Sequence, residues 1–500
     1  MNLQQTDPEI FALIQSEEAR QTKDIAMIPS ENFVSGAVRE AVGSVLMNKY
    51  SEGQPFKRYY QGNQYIDQIE SLAESRALEA FGLKDTDWHV NVQAVTGSIA
   101  NFAVYAALLN PGDKMLGMSL YDGGHLSHGW KLPEGKPISF TARIYDTYFY
   151  SVDPTTKVFD YDNIERIAKE VRPKILISGG TAYPREIDYK RMREIADSVG
   201  AIYMADVAHE AGLIVGRANS SPFPHAHVVT MTTRKTLRGP IGALIFANKQ
   251  LLGQEVAEKI DFAVFPSLQG GPQNHSIAGI AVALHEAMQP DFKIYAHQVV
   301  KNAQALADEL ARAGFDVVSG GTDKHLVLVD LRSRGWSGKD AALALEKVGI
   351  IANKNTVPGE TGKPWNPSGL RLGTPAMTTR GYKEDDFRKV AQTISTVLPF
   401  AKVRHMQTSY TATVSSKGQF TFPSAFRRAS KIKPGHKLTI SSHPTKKDEY
   451  TISISNKIPR ITLEQAFGAL YDPKRKYVPI EVARDIAGRA LGKQYAITRR

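Results

Sequence analysis

Short apolar runs alternate with amphipathic stretches along most of this chain, and this alternation limits its fold more than any other feature. Between residues 85 and 235, apolar runs such as Lys174–Ser178 and Ala201–Ala205 are separated by stretches with helical spacing such as Tyr189–Val199. Such alternation is typical of an α/β protein with a mainly parallel sheet and helices on both faces. Because ligands of these sheets bind at the carboxyl ends of the strands, we expect functional residues where an apolar run ends.

The pattern restarts after a helical region near His275–Met288. Val299–Ala313 predicts a helix and His325–Leu331 a strand, and beyond residue 407 short strands such as Lys437–Ser441 follow. Five hundred residues are enough for about three domains. We predict an N-terminal arm with a large domain (1–290), a small α/β domain (291–407) and a small β domain with a tail (408–500).

Composition narrows the classes of protein that remain. The chain contains no cysteine, which excludes disulfides and thiolate metal sites, and we expect no metal. Its first residues do not form a secretory signal, and no apolar run reaches the roughly 20 residues of a membrane helix. We therefore predict a cytoplasmic protein without membrane contact.

The net charge of +11 is concentrated in one part of the chain. Residues 408–500 hold 18 basic and 6 acidic residues, a balance of +12, whereas the rest holds 44 basic and 45 acidic residues. A nearly neutral body with a basic appendage suggests two joined functions. The alternative is a solvated tail that only aids solubility.

Two charged residues follow apolar runs where a ligand of the sheet would bind. Asp206 ends the run Met204–Asp206, and Lys235 follows the run His227–Thr233. A lysine amine can form a Schiff base with an aldehyde cofactor, and a carboxylate can keep a pyridine nitrogen protonated. On spacing alone, a lysine at a strand end is more often a solvated surface residue.

Anion-binding features lie at two further places. Thr96-Gly97-Ser98 precedes the predicted helix Ile99–Leu109, and the free N–H groups at a helix start favour a phosphate. Arg371 lies between apolar residues, where a guanidinium can bind a carboxylate through two hydrogen bonds. The alternatives are an ordinary helix cap for the first and a structural ion pair for the second.

Several ordered motifs then place most of the chain in a known family. Residues 8–405 resemble the serine hydroxymethyltransferases in the segments 27–32, 48–53, 57–60, 123–126, 206–209, 235–240, 269–272 and 371–375. The resemblance implies the pyridoxal-phosphate-dependent aspartate-aminotransferase-type fold, with a large and a small domain. It also implies a homodimer or tetramer whose active sites are shared between subunits.

The resemblance assigns a role to each matching residue. Lys235 would carry pyridoxal 5'-phosphate, Asp206 would pair with its ring nitrogen, His125 would stack on the ring and His209 would lie near the phenolic oxygen. The phosphate would be bound by Thr96, Gly97 and Ser98, with Thr232 nearby and with Tyr50 and Gly271 from the neighbouring subunit. Ser30, Arg371 and Tyr60 would hold the amino-acid substrate, Glu52 would handle protons, and the tetrahydrofolate pocket would include Leu120, Gly124, Leu126 and Asn355.

Four departures from the family pattern lie close to the cofactor segments. Arg234 replaces a histidine, Ile241 an arginine, Ile99 a glutamine, and Ser267-Leu268 a pair of glycines. A permanent cation at Arg234 would disfavour the protonated form of Lys235. Neutral drift is one explanation. The other is changed specificity, as in a threonine aldolase or a transaldolase that uses another aldehyde.

The basic tail carries a resemblance of its own. Residues 409–455 resemble the AbrB/MazE domain, which forms a swapped-hairpin β dimer in regulators and antitoxins, and residues 461–494 resemble the segment that binds a toxin partner. By this resemblance Lys417, Arg427 and Arg428 would contact DNA. Two alternatives remain: the hairpin only assists oligomerisation, or the chain is a DNA-binding regulator whose enzyme body acts as a sensor.

Overall fold

The computed structural model describes residues 2–360, 362, 365–400, 437–442 and 450–455. Its contacts divide the chain into two units, Met1–Val403 and Arg404–Arg500. No helix of the described residues is long and apolar enough to cross a membrane.

Strands and helices alternate along most of the larger unit. The strands are β1 (Ile25–Ala26), β2 (Gly53–Gln54), β3 (Lys57–Arg58), β4 (Trp88–Asn91), β5 (Lys114–Met118), β6 (Asp146–Tyr150), β7 (Ile175–Ser178), β8 (Ile202–Asp206), β9 (Val228–Thr232), β10 (Ala243–Asn248), β11 (Asp316–Val317), β12 (Leu326–Asp330), β13 (Ile350–Ile351), β14 (Asn353–Asn355), β15 (Gly369–Gly373), β16 (Lys437–Ser442) and β17 (Tyr450–Ser455). The α-helices are α1 (Leu3–Thr6), α2 (Pro8–Lys23), α3 (Gly36–Val42), α4 (Gln64–Phe81), α5 (Gly97–Leu108), α6 (Thr141–Ile144), α7 (Tyr161–Val171), α8 (Tyr189–Ser198), α9 (Ala211–Val215), α10 (Lys249–Leu252), α11 (Val256–Phe262), α12 (Asn274–Ala287), α13 (Pro290–Arg312), α14 (Gly338–Glu346), α15 (Pro375–Thr379) and α16 (Glu384–Val397). Short helical turns outside these helices lie at Val45–Asn48, Leu120–Asp122, Leu126–His128, Ala263–Leu268, Val318–Gly320 and Arg332–Arg334.

A seven-stranded sheet forms the centre of the larger part, in the order β4-β10-β9-β8-β7-β5-β6. Strands β5 to β9 pair in parallel, and β10 is antiparallel to both β9 and β4. All residues of β7 and β9 are buried, which is why these strands are continuous apolar runs rather than alternating ones. The predicted α/β class with a mainly parallel sheet is confirmed.

A smaller, four-stranded antiparallel sheet follows in the order β11-β12-β15-β14. Its core includes residues of α13 and α16 together with Met27 from the N-terminal segment. That segment joins the smaller part directly, because β1 pairs in parallel with β13 and the Gly373 N–H donates to the Met27 carbonyl. The position of β15 is therefore fixed both by its own sheet and by the N-terminal segment.

The predicted elements correspond closely to the observed ones where both are described. The predicted strand Ala201–Ala205 is observed as Ile202–Asp206, but the predicted helix Val299–Ala313 is only the second half of α13. In the C-terminal unit, the predicted strand Lys437–Ser441 is observed as β16, which pairs antiparallel with β17. Lys417, Arg427 and Arg428 lie outside the described residues.

Gly373 provides a test of the packing between the N-terminal segment and the small sheet. A Cβ atom at Gly373 would overlap the Cα of Pro29, so Gly373→Ala pushes the N-terminal segment away from β15. We expect the substitution to lower the free energy of unfolding by roughly 1–3 kcal/mol. Gly36→Ala is the matched control, because a Cβ at Gly36 has no neighbour within 4 Å. Urea unfolding of both variants checks this, and equal midpoints would contradict the close packing of Pro29 on Gly373.

Candidate active site

A cavity lies where β8 and β9 end, at Asp206 and Thr232. Eight residues predicted to bind the cofactor line it: Thr96, Gly97, Ser98, His125, Asp206, His209, Thr232 and Lys235. Gly180, Thr181, Ala208 and Arg234 also line it. The predicted residues from separate segments of the chain therefore meet at one place.

The start of α5 forms one wall of the cavity. Thr96 caps the helix, and its hydroxyl accepts a hydrogen bond from the Ile99 N–H at 3.4 Å. A Cβ atom at Gly97 would lie only 2.6 Å from Cγ2 of Thr232, so the position requires glycine for the helix to approach β9. The free N–H groups of this first turn can therefore bind an anion in the cavity.

Asp206 presents a buried carboxylate to the same cavity. Its Oδ2 accepts a hydrogen bond from Asn101 Nδ2 at 2.8 Å and lies 3.0 Å from His128 Nε2. Burial raises the pKa of Asp206, but its hydrogen bonds with His128 and Asn101 and the charge of His128 outweigh it, and the pKa falls below its usual value. Asp206 is therefore an anion that can pair with a protonated ring nitrogen.

His128 and Asn101 were not predicted from the sequence. Asn101 lies one helical turn after Gly97, and its Oδ1 accepts a hydrogen bond from Thr230 Oγ1 at 2.7 Å. The i, i+4 spacing on α5 was the only available signal for Asn101. His128 follows His125 by three residues in a short helical turn, which no local pattern connects with Asp206.

His125 is linked to the Asp206 network through Ser127. Its Nδ1 lies 2.7 Å from Ser127 Oγ, which also accepts from Asn101 at 2.8 Å. Burial and the neighbouring His128 lower the pKa of His125 to about 4, so its ring is neutral at pH 7. A neutral ring suits stacking on an aromatic cofactor.

The ligand atoms of His125, His128 and Asp206 also lie within 4.8 Å of one another, a spacing that a metal ion could bridge. Asp206 Oδ2 is already engaged by Asn101 and His128. The cluster is therefore explained as a hydrogen-bond network around one carboxylate.

Lys235 lies buried three residues after the end of β9. Burial lowers the pKa of Lys235 to about 8. The charge of Asp206 raises this pKa, whereas the nearby cations Arg371 and Arg234 lower it further. Its carbonyl accepts a hydrogen bond from Asn32 Nδ2 at 3.0 Å, which fixes the turn. A substantial fraction of the amine is thus neutral near pH 8 and can act as a nucleophile.

Arg371 projects from β15 as a buried cation. It donates to Asn353 Oδ1 at 3.2 Å and to the carbonyl of Thr181, and among the described residues it forms no ion pair with a carboxylate. Burial lowers its pKa to about 10. Ser30 is half-buried and directly follows Pro29 in a turn. Pro29 packs against Gly373, which lies two residues after Arg371 in β15.

A second cluster contains the remaining predicted catalytic residues. The rings of Tyr50 and Tyr60 meet edge to face at 5.4 Å, and a Cβ at Gly271 would lie 3.5 Å from Tyr50 Cε1 and 3.7 Å from Glu52 Cγ. The charge of Glu52 raises the pKa of Tyr60. None of the four lines the Lys235 cavity of the same chain, and both tyrosines are exposed.

The residues predicted for the folate pocket lie around one loop region. Thr356, next to Asn355, donates through Oγ1 to the Leu120 carbonyl at 3.4 Å. Gly124 packs against the Met118 carbonyl so closely that a Cβ would overlap it, and Leu126 is half exposed. This hydrogen bond joins Leu120 to the residue that follows Asn355, although the two lie far apart in the sequence.

The positions that depart from the family pattern differ in their surroundings. Arg234 is exposed and lines the cavity, and Ile99 lies in the first turn of α5. Ile241 is exposed, and Leu268 is partly exposed at the end of a short helical turn. Only Arg234 among them lines the cavity around Lys235.

Comparison with known proteins adds an independent observation. Residues 3–394 match the sequence profile of the family described as serine hydroxymethyltransferase. The serine hydroxymethyltransferase of Acidothermus cellulolyticus is 51% identical over 392 residues, covering 78% of this chain and 88% of that protein. The mitochondrial serine hydroxymethyltransferase of Candida glabrata is 48% identical over 403 residues, covering 79% and 83%.

The chain belongs to the serine hydroxymethyltransferase family. The predicted family and enzyme class are confirmed: its members are pyridoxal-phosphate-dependent transferases with tetrahydrofolate as co-substrate. The cavity fits that cofactor, because a buried anion, a buried lysine and a helix start with an obligatory glycine surround it. The family match ends at residue 394 and leaves the basic tail uncovered.

The lowered pKa of Lys235 predicts how the cofactor-free protein takes up pyridoxal phosphate. The rate should rise with pH through about 8, because only the neutral amine attacks the aldehyde. Arg234→Gln should move the midpoint to higher pH, since the cation at Arg234 lowers the pKa of Lys235. Visible absorbance after rapid mixing measures the rate.

Arg312→Gln, an exposed arginine at the end of α13, is the control and should leave the midpoint unchanged. A midpoint that stays in place in Arg234→Gln would show that this arginine does not act on the lysine.

Proposed function

We propose that residues 1–407 form a working serine hydroxymethyltransferase and that 408–500 form a separate basic domain. The large domain would span 1–290 and the small domain 291–407. The observation that carries the enzyme proposal is the meeting of Lys235, Asp206 and the start of α5 around one cavity. The reaction interconverts serine and glycine by breaking or forming the Cα–Cβ bond, with tetrahydrofolate taking the one-carbon unit.

Bound pyridoxal phosphate would supply the electron sink that makes the Cα–Cβ bond cleavable. Asp206, held ionised by Asn101 and His128, would keep the ring nitrogen protonated. Lys235 would hold the cofactor through its buried amine. Gly97 and the free N–H groups beside it would bind the phosphate.

Arg371 would bind the substrate carboxylate, with Ser30 beside it. A buried guanidinium without a carboxylate partner among the described residues supports this role, because an anion would complete its surroundings. His125, whose ring is neutral at pH 7, would stack on the cofactor, and His209 would lie near its phenolic oxygen.

The second cluster would serve the cavity of a neighbouring subunit in a homodimer or tetramer. Tyr50, Glu52, Tyr60 and Gly271 lie together but away from the Lys235 cavity of their own chain. Glu52 would exchange a proton with the substrate hydroxyl, and Tyr60 would help to place the substrate. Tetrahydrofolate would bind near Leu120, Gly124, Leu126 and Asn355.

A threonine aldolase or transaldolase remains the second candidate, and Arg234 is the observation that favours it. An exposed cation in the cavity changes the charge next to Lys235 without changing the groups that bind the ring and the phosphate. The same bond would then break in another β-hydroxy amino acid, and a different aldehyde would replace the one-carbon unit.

Folate dependence separates these two activities. Serine cleavage by the purified holoenzyme should accelerate strongly when tetrahydrofolate is added, and Glu52→Gln should lower that rate by about 10²–10⁴-fold, as for loss of a general acid–base. Glu40→Gln, at an exposed carboxylate on α3, is the matched control. Glycine formation measures the rate. Equal rates with and without tetrahydrofolate would favour the aldolase alternative.

For the C-terminal domain we propose DNA binding through an AbrB-like fold, with Lys417, Arg427 and Arg428 as contacts. The supporting observation is the balance of +12 in residues 408–500. A toxin partner for residues 461–494, oligomerisation through the hairpin alone, and an enzyme body that acts as a sensor are the competing possibilities. The cytoplasmic location stays a prediction.

Salt dependence tests the DNA proposal on the full chain. Binding to a mixed-sequence duplex should weaken with salt, and Lys417→Gln should reduce the slope of log K against log salt by about 1, as for loss of one phosphate contact. Lys235→Ala should abolish cofactor colour and leave DNA binding unchanged. Fluorescence anisotropy measures binding, and its absence at low salt would rule out this role.

A further inference from the structure

A buried ion pair lies beside the cofactor cavity and takes no part in the proposed chemistry. Lys324 Nζ contacts Glu210 Oε1, and the two side chains are only 2% and 3% exposed. Glu210 follows β8 and precedes α9, whereas Lys324 precedes β12 of the small sheet. The pair therefore connects the segment that carries Asp206 to the small sheet that carries Arg371.

Each member of this pair is the chain neighbour of a histidine. His209 and His325 form a hydrogen bond edge to edge: His209 Nδ1 lies 3.0 Å from His325 Nε2, the ring centres are 5.3 Å apart and the planes are inclined by only 21°. Burial lowers the pKa of both histidines well below the usual value, so the two rings meet in their neutral forms. His209 also lines the cavity.

The backbone on the Glu210 side is tied to Lys235. The hydroxyl of Thr236 donates to the His209 carbonyl at 2.8 Å and accepts from the Gly212 N–H at 3.0 Å. On the other side, the Lys324 N–H donates to Thr322 Oγ1 at 3.0 Å, which itself donates to the Pro184 carbonyl. The ion pair thus joins two segments whose backbones are each held in place by their own hydrogen bonds.

Stability alone does not explain an ion pair at this place. Two buried charges lose hydration, and their replacement by apolar groups of similar size is often neutral or stabilising. The second oxygen of Glu210 and Nδ1 of His325 have no hydrogen-bond partner among the described residues, which adds to the cost. A geometric role is the better account of why the two charges face each other.

We propose that Glu210 and Lys324 are positioning residues that hold the hydrogen-bonded His209–His325 pair against the cofactor cavity. The ion pair fixes the distance between the two segments, and the hydrogen bond between the histidines then fixes the position of the His209 ring. The charge of Glu210 also raises the pKa of Lys235, which opposes the effect of burial. The inference rests on the proposed function only in that the cavity binds pyridoxal phosphate.

Cofactor binding, rather than catalysis, tests this proposal. Glu210→Gln, Lys324→Met and the double variant are titrated with pyridoxal phosphate, and the Kd and the visible absorption spectrum of each are recorded beside the thermal midpoint. Each single variant leaves one buried charge without its partner, so both should lose stability. The double variant should recover much of that stability.

The double variant decides between a positioning role and a structural one. We expect it to bind the cofactor roughly tenfold more weakly and with a shifted absorption maximum, by analogy with metal sites, where losing an outer-shell partner costs about 10–100-fold. Native affinity and spectrum in the double variant would overturn the proposal, because the pair would then serve folding alone. If those variants do not fold, Glu210→Asp replaces them, because it keeps the negative charge on a shorter side chain. It should show the same spectral shift with a smaller magnitude.

A matched control lies elsewhere in the small sheet. Asp330 pairs with Arg332 at the far end of β12, and Asp330→Asn should lower the thermal midpoint without changing cofactor affinity or spectrum. A spectral shift in this control would mean that any loss of stability disturbs the cavity, which would also overturn the proposal. Serine cleavage plays no part in these readings, so a failure of the proposed activity remains distinguishable.

Discussion

The carboxylate of Asp206 is buried at the end of β8, and the surroundings of the cavity are arranged to keep it charged. An isolated carboxylate in such a place would bind a proton, because burial disfavours the ionised form. Here α5 supplies Asn101, the turn at Leu126–His128 supplies His128, and β9 fixes Asn101 through Thr230. Three elements must therefore meet correctly before the anion exists, so the fold and the electrostatics of the cavity form together.

The close approach of α5 to β9 follows from the same requirement. Asn101 reaches Asp206 only because the first turn of the helix lies against Thr232, and that contact leaves no room for a side chain at Gly97. The glycine thus has two consequences at once. It lets the amide of Asn101 reach the carboxylate, and it exposes the N–H groups of the helix start to the cavity.

The sequence predicts the functional residues that lie next to strands and helix starts. It does not predict the residues that hold those functional residues in place. Asp206, Lys235 and Gly97 lie at the ends or starts of regular elements, where the alternation of apolar runs marks their position. His128, Glu210 and Lys324 act through contacts between residues that are 78 to 114 positions apart, and no local periodicity encodes such distances. The first half of α13 was also missed, although Pro290 at its start and Asp291 in its first turn are ordinary signals of a helix start.

The buried cations around the cavity outnumber the buried carboxylates, and this excess of positive charge indicates an anionic ligand. Lys235, Arg371 and Lys324 are buried cations, whereas Asp206 and Glu210 are the buried carboxylates near them. Glu210 is paired with Lys324, and Asp206 is engaged by Asn101 and His128. Burial accordingly lowers the pKa of both Lys235 and Arg371, because neither cation forms an ion pair with a carboxylate of the described residues. A ligand with a phosphate at one end and a carboxylate at the other would supply the missing negative charge, and this is the chemistry of pyridoxal phosphate joined by an amino acid.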